Sequence, residues 1–251
     1  MSLPKVIITD FITEPLSIER DVLGKEAELV ALDAMSEKEL VGQVEDATAL
    51  ICYHYLSITR ETLERLANCR VIVRGGVGYD NIDHVTARSH GIPVCNVPDY
   101  GTEEVADSAL GMILSLARGT HFLQSRLRRG VGEWSVEQAQ PIPRLRGRTL
   151  GIIGCGRIGS AVALRAKALG MKVLFHDPYV PDGLDKSLGI ERADCLDELL
   201  EQSYIISLHC PLTPETTNII GAQELAYMSP VSYTHLRAHE TLRSSVSRVQ
   251  H

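Results

Sequence analysis

Apolar residues come in short bursts through the first hundred positions. KVIITD (5–10), ALICYH (49–54), VIVRGG (71–76) and IPVCNV (92–97) are each rich in Val and Ile. They run continuously rather than alternating, the mark of strands buried on both faces of a parallel sheet. Helical stretches separate them, as in TRETLERLANC (59–69), where Leu63, Leu66 and Ala67 keep helical spacing. Alternation of this kind predicts a βα-layered unit.

The pattern then changes. Residues 101–130 read as one long helix, which Thr102 can cap and whose first turn carries Glu103 and Glu104. From Ala109 to Ala117 it is apolar nearly all round, so burial within the chain and burial against a second subunit are both open. Residues 130–147 are rich in Gly and Pro and predict a surface connection, and Arg144, Arg146 and Arg148 form a basic cluster that reads first as solvated surface and second as an anion site. A second βα series follows. RTLGIIG, KVLFHD and YIISLHC are its strands; RIGSAVALRAKALG, with Ile158, Val162, Ala166 and Leu169 on one face, and DCLDELLEQS are its helices.

Composition adds limits. In 251 residues, 44% hydrophobic and 23% charged content suits a folded globular chain, and the length fits two domains or one large one. The formal net charge of −7 argues against direct nucleic-acid binding or a membrane surface. Six scattered cysteines, none in a C-x-x-C pair, predict a reducing, cytoplasmic setting. MSLPKVIITD becomes charged too soon to be read as a signal peptide.

The sharpest signal is LGIIGCGRIGSAVALRAKALGMKVLFHDPY. Gly154, Gly156 and Gly159 form G-x-G-x-x-G, between an apolar strand and an amphipathic helix, and a second strand ends at Asp177. That context is the one a dinucleotide requires. Gly154 permits the tight turn, Gly156 lets backbone approach a pyrophosphate, and Gly159 lets helix and strand meet. Unpaired amides at the helix start hold the phosphates. Asp177 would accept from the adenosine ribose hydroxyls and repel a 2′-phosphate, which favours NAD over NADP.

Two further loops follow strands. HCPLTPETTNIIG (209–221) offers His209, Cys210 and Thr213 to the cofactor, although a lone histidine reads first as structural. VRGGVGYDNID (73–83) offers backbone amides at Gly75, Gly76 and Gly78 beside Arg74, a carboxylate site or simply a βα turn using glycine.

Together VRGGVGYDNID, VPDYGTEEVADSALGMILSLAR, LGIIGCGRIG…VLFHDPY and SLHCPLTPETTNIIG resemble the D-isomer-specific 2-hydroxyacid dehydrogenases. Within the family, the resemblance is to the branch of the C-terminal binding proteins and D-3-phosphoglycerate dehydrogenases. It implies an α/β chain of two flavodoxin- or Rossmann-like, doubly wound parallel-sheet domains, the second incomplete. Residues 1–98 would be the substrate domain, 99–228 the NAD-binding domain and 229–251 a disordered tail. It also implies an NAD-dependent oxidoreductase acting on a small 2-hydroxy or 2-keto acid, dimeric through its cofactor domain. The alternative is an NAD-sensing corepressor-like binding module. Gly76, Val77 and Gly78 would hold the substrate carboxylate, with His54 and Arg74 nearby. Gly154, Gly156, Arg157, Ile158, Gly159 and Asp177 would bind NAD, with Val105, His209, Cys210 and Thr213 beside it. No metal site is implied. Tyr204 stands where the family usually has Asp.

The family's N-x-A-R-G segment, with its catalytic Arg, and the later Glu and His have no counterpart up to Met228 or after it. Residues 229–251 resemble translated adapter sequence and show neither helical nor strand periodicity. The expectations are therefore that no catalytic residue is retained and that the chain lacks turnover. The strand completing the switch-point crevice beside LGIIG is expected to be missing as well, leaving an apolar sheet edge bare.

Overall fold

The structure, a computed structural model, describes residues 3–133, 135–139, 142–228 and 233–235. Two compact units divide the chain, Met1–Tyr100 and Gly101–His251.

The first unit runs β1 (Lys5–Ile8), α1 (Ser17–Leu23), β2 (Glu28–Ala31), β3 (Ala49–Cys52), α2 (Arg60–Leu63), β4 (Val71–Arg74), α3 (His84–Ser89) and β5 (Val94–Asn96). Its sheet has the order β2-β1-β3-β4-β5, every neighbouring pair parallel. The winding direction reverses between β1 and β3, so a switch point lies where those two strands end. Alternate side chains feed two cores. Ile7, Leu50, Cys52 and Ile72 fill one, while Val6, Ile8, Leu16 and Leu29 fill the other. The helix expected over 59–69 is confined to α2, capped by Thr59, whose hydroxyl accepts from the Glu61 amide. Leu63 and Leu66 are buried as expected, whereas Ala67 is exposed.

Asp10 is fully buried just past β1. Its Oδ1 accepts from the Tyr53 amide at 2.8 Å and its Oδ2 from the Tyr55 amide at 2.8 Å, while the Thr9 hydroxyl donates to Oδ1 at 2.7 Å. This side chain ties the end of β1 to the loop leaving β3.

The second unit continues with α4 (Thr102–Arg118), α5 (Thr120–Arg129), β6 (Thr149–Ile153), α6 (Arg157–Ala168), β7 (Lys172–His176), α7 (Leu184–Leu188), β8 (Glu191–Arg192), α8 (Leu196–Gln202), β9 (Ile205–Leu208), α9 (Ala222–Tyr227) and β10 (Tyr233–His235). Its parallel sheet has the order β10-β9-β6-β7-β8. Leu150, Ile152 and Phe175 pack one face against Ala106, Ala109, Ile113, Val162 and Ala166 of α4 and α6. Ile153, Leu174 and Ile206 pack the other against Leu199 and Leu200 of α8. Arg165 of α6 pairs with Asp107 of α4 at 2.6 Å and with Glu103.

Four expectations are corrected. The long helix is two, because Gly119 at φ 64° sits in the left-handed region and ends α4. Gly101, not Thr102, is the N-cap, and Thr102 is already helical. The switch-point strand is present: β9 lies directly against β6. Nor is the edge of β9 bare, since Tyr233–His235 of the segment expected to be disordered pairs with Ile205–Ser207 in parallel register. The rest of 229–251 falls outside the described residues. Among those described, no helix is long and apolar enough to cross a membrane.

Cys52 gives a pH prediction. Burial pushes its thiol from the ordinary value of 9.0 up to about 12, with the neighbouring Asp10 charge adding to the shift. The folded state therefore favours the protonated thiol. The stability this brings is full below about pH 9 and is lost as pH rises through about 12. Denaturant melts should weaken across that window, and Cys52→Ala, at a cost of about 1 kcal/mol near neutrality, should flatten the alkaline loss.

Candidate functional site: a glycine turn at one switch point and an amide loop at another

In the second unit, β6 ends in Gly154 and α6 begins at Arg157. Gly154 has φ 88°, and a Cβ there would lie 2.5 Å from the Cys210 amide nitrogen and 2.8 Å from the His209 carbonyl carbon. Backbone from β6 and β9 thus converges at the reversal of winding, and only glycine fits. A Cβ on Gly159 would lie 2.2 Å from the Gly154 carbonyl oxygen, so α6 rests on the turn itself. Gly156 differs: among the described residues, no atom beyond its chain neighbours lies within 4 Å of its Cβ position. The first bond into α6 runs from the Ser160 amide to the Gly156 carbonyl at 2.9 Å. The amides of Arg157, Ile158 and Gly159 meet no acceptor among the described residues and are left for an anion. Arg157 is exposed and Ile158 half-buried against the core.

Asp177 follows β7 directly. Its Oδ2 accepts from the Cys155 amide at 2.8 Å and its Oδ1 from the Tyr179 amide at 2.9 Å. Each carboxylate oxygen keeps a lone pair for a ribose hydroxyl. A cavity of about 310 Å³ adjoins it, lined by His176, Asp177, Pro178, Asp182, Arg192, Ala193 and Asp194. Arg192 donates to the Asp177 carbonyl at 2.8 Å and pairs with Asp182 at 3.3 Å. Burial raises the Cys155 thiol above its ordinary value, which keeps the turn free of a thiolate.

Beyond β9, the His209 amide donates to the Ile153 carbonyl at 2.7 Å, and its Nε2 lies 2.8 Å from the Ser207 hydroxyl. Cys210 is half-buried against the core, and Thr213 organises its loop through the Thr216 hydroxyl. The Tyr179 hydroxyl donates to Glu215, joining the loops after β7 and β9, and that bond raises the tyrosine's pKa above its ordinary value. Val105 lies in the first turn of α4, its amide bonded to the Gly101 carbonyl. Tyr204 precedes β9, at the opposite end of the strand from the glycine turn, with the Arg148 guanidinium 4.7 Å from its ring.

In the first unit, the Gly75 amide donates to the Cys52 carbonyl at 2.8 Å, and the Gly76 amide folds back to the Arg74 carbonyl at 2.8 Å. Gly76 is therefore not a free donor. The amides of Val77 and Gly78 meet no acceptor among the described residues. Arg74 lies over the loop: its Nη1 is 1.5 Å from a Cβ position on Gly76, and its buried Nε has no partner among the described residues. Two amides and a guanidinium suit a carboxylate. His54 is exposed on the loop fixed by Asp10, and Asn81 supports that loop by donating to the Tyr53 and Leu56 carbonyls, each at 2.9 Å.

The open Gly156, the three free amides and the poised Asp177 fit a dinucleotide, and the β10-β9-β6-β7-β8 order defines the class: a doubly wound nucleotide-binding protein. Residues 110–234 match the family model "D-isomer specific 2-hydroxyacid dehydrogenase, NAD binding domain". A D-lactate dehydrogenase structure from Aquifex aeolicus, complexed with NAD and lactic acid, is 31% identical with TM-score 0.83, covering 92% of this chain and 68% of that one. The chain belongs to the D-isomer-specific 2-hydroxyacid dehydrogenase family, and its second unit carries the family's NAD-binding domain. It is also 42% identical over 214 residues to C-terminal-binding protein 1 of Caenorhabditis elegans, and 38% identical over 224 residues to D-3-phosphoglycerate dehydrogenase of Methanocaldococcus jannaschii. It spans 29% and 42% of the length of those two relatives. The family match runs to residue 234.

The glycines divide by role. Gly154→Ala and Gly159→Ala should lower the melting temperature, since a methyl there meets backbone. Gly156→Ala should melt like the parent yet bind NAD at least about tenfold more weakly, because the methyl enters the phosphate path. Thermal melts paired with NAD titrations test this.

Proposed function

We propose that the protein is an NAD-dependent oxidoreductase of small 2-hydroxy or 2-keto acids. The observation carrying this reading is the glycine turn, with an open Gly156 and unpaired amides opening α6. The Arg157, Ile158 and Gly159 amides bind the pyrophosphate, and Asp177 accepts from the ribose hydroxyls and excludes a 2′-phosphate. Val105, His209, Cys210 and Thr213 line the remainder of the cofactor. In the first unit, the Val77 and Gly78 amides and Arg74 hold the acid's carboxylate, with His54 on the adjoining loop. Bound NAD supplies the hydride acceptor for C2 of the hydroxy acid.

Calorimetry should show saturable heat with NAD and NADH. Asp177→Ala should weaken both at least about tenfold, while Asp177→Asn should narrow the preference for NAD over NADP. No heat, or an Asp177→Ala variant indistinguishable from the parent, overturns the reading.

The identity to C-terminal-binding protein 1 favours a second reading, an NAD-responsive, corepressor-like binding module. Capture of a partner peptide that depends on NAD would select it, and saturable binding of a keto acid in the presence of NADH would select the first. We also propose a cytoplasmic homodimer formed through the cofactor unit. Six free cysteines support the compartment, and the exposed Phe122 and Leu127 of α5 support the interface. Sedimentation velocity tests the dimer.

A further inference from the structure

The first unit has its own switch point, where β1 and β3 end side by side. Doubly wound sheets bind ligands at such points. Four rings gather there. Phe11 lies 5.3 Å from Tyr53, 4.7 Å from His54 and 5.6 Å from Tyr55, centroid to centroid, and His54 lies 4.8 Å from Tyr55. The cluster rims a core rather than filling one: Tyr53 packs against Val6, Ile8, Leu16 and Leu29, whereas Phe11 is 45% exposed and Tyr55 47%.

Phe11 is held in place at a cost. It has φ 71°, a left-handed conformation that costs an L residue about 1–2 kcal/mol. The Ile12 amide closes a tight turn around it by donating to the Asp10 carbonyl at 2.8 Å. Asp10 fixes both sides of the cluster at once, through the turn and through the Tyr53 and Tyr55 amides. A strained aromatic residue, kept outward by its surroundings, is a feature of ligand sites.

The rings adjoin the carboxylate loop. Tyr53 Cε1 is 2.5 Å from a Cβ position on Gly75, and the Arg74 guanidinium covers the next residue, Gly76. Thus Tyr53 and Arg74 flank consecutive glycines, with the free Val77 and Gly78 amides immediately after them.

We infer that Phe11, Tyr53, His54 and Tyr55 form an aromatic shelf that selects 2-keto acids with an aryl side chain. The inference rests on the oxidoreductase reading above and narrows its substrate class. The acid's carboxylate meets the Val77 and Gly78 amides and Arg74, and its ring stacks edge-on or offset on Phe11 and Tyr53. The shelf governs which acid binds and takes no part in bond making.

The test is titration of the full chain with pyruvate and with phenylpyruvate, with and without NADH. Phenylpyruvate should bind about tenfold more tightly, the scale of one favourable aromatic contact. Phe11→Gly removes the ring and relaxes the backbone at φ 71°, so folding is retained, and it should bring the two affinities within about twofold. Phe11→Trp should keep the preference. Arg74→Met should weaken both acids alike. Equal affinities in the parent, or a preference that survives in Phe11→Gly, overturns the shelf and leaves the carboxylate reading standing. Binding of neither acid overturns both.

Discussion

The approach of Gly154 to the backbone of His209 and Cys210 is the constraint on which the second unit depends. Two parallel strands converge with no side chain between them, so the turn after β6 must be glycine with positive φ. Once it is, the chain leaves at an angle that starts α6 with its amides facing outward. Asp177 then ties the turn to the end of β7 through the Cys155 amide. Three strand ends are thereby locked together by one missing Cβ and one carboxylate. Asp177, which would also meet a ribose, thus serves both the sheet end and a ligand, whereas the open Gly156 and the amides opening α6 are left to the ligand.

The first unit repeats this logic with different chemistry. There a buried Asp10, rather than a glycine, joins the ends of β1 and β3. An acceptor with two oxygens can fix two amides on one loop, and that loop carries Tyr53, His54 and Tyr55. Glycines at 75 and 76 make room for a tyrosine ring and a guanidinium rather than for backbone.

Much of this was legible in the residues. Continuous apolar runs marked β1, β3, β4, β5, β6, β7 and β9, and G-x-G-x-x-G with Asp177 placed the turn correctly. The losses have physical causes. β8 is two charged residues and β2 opens on the exposed Glu28, so neither presents a continuous apolar run. Gly119 looked like one more residue of an apolar helix, because a left-handed φ leaves no trace in composition. The roles of Asp10, Asn81 and Arg192 come from partners more than ten residues away or from backbone groups, which no local pattern encodes. Phe11 reads as an ordinary apolar residue until its neighbours are known. Gly76 read as a free donor because the turn that consumes its amide depends on the path of the following loop.

The short parallel pairing of Tyr233–His235 along β9 carries a lesson of its own. The ladder is made by peptide groups, which every residue supplies, so the flank of β9 is permissive about side-chain identity. A slot of that kind discriminates poorly between one extended peptide and another. A segment already tethered to β9 through the same chain meets that flank at high effective concentration, which favours it over a peptide free in solution.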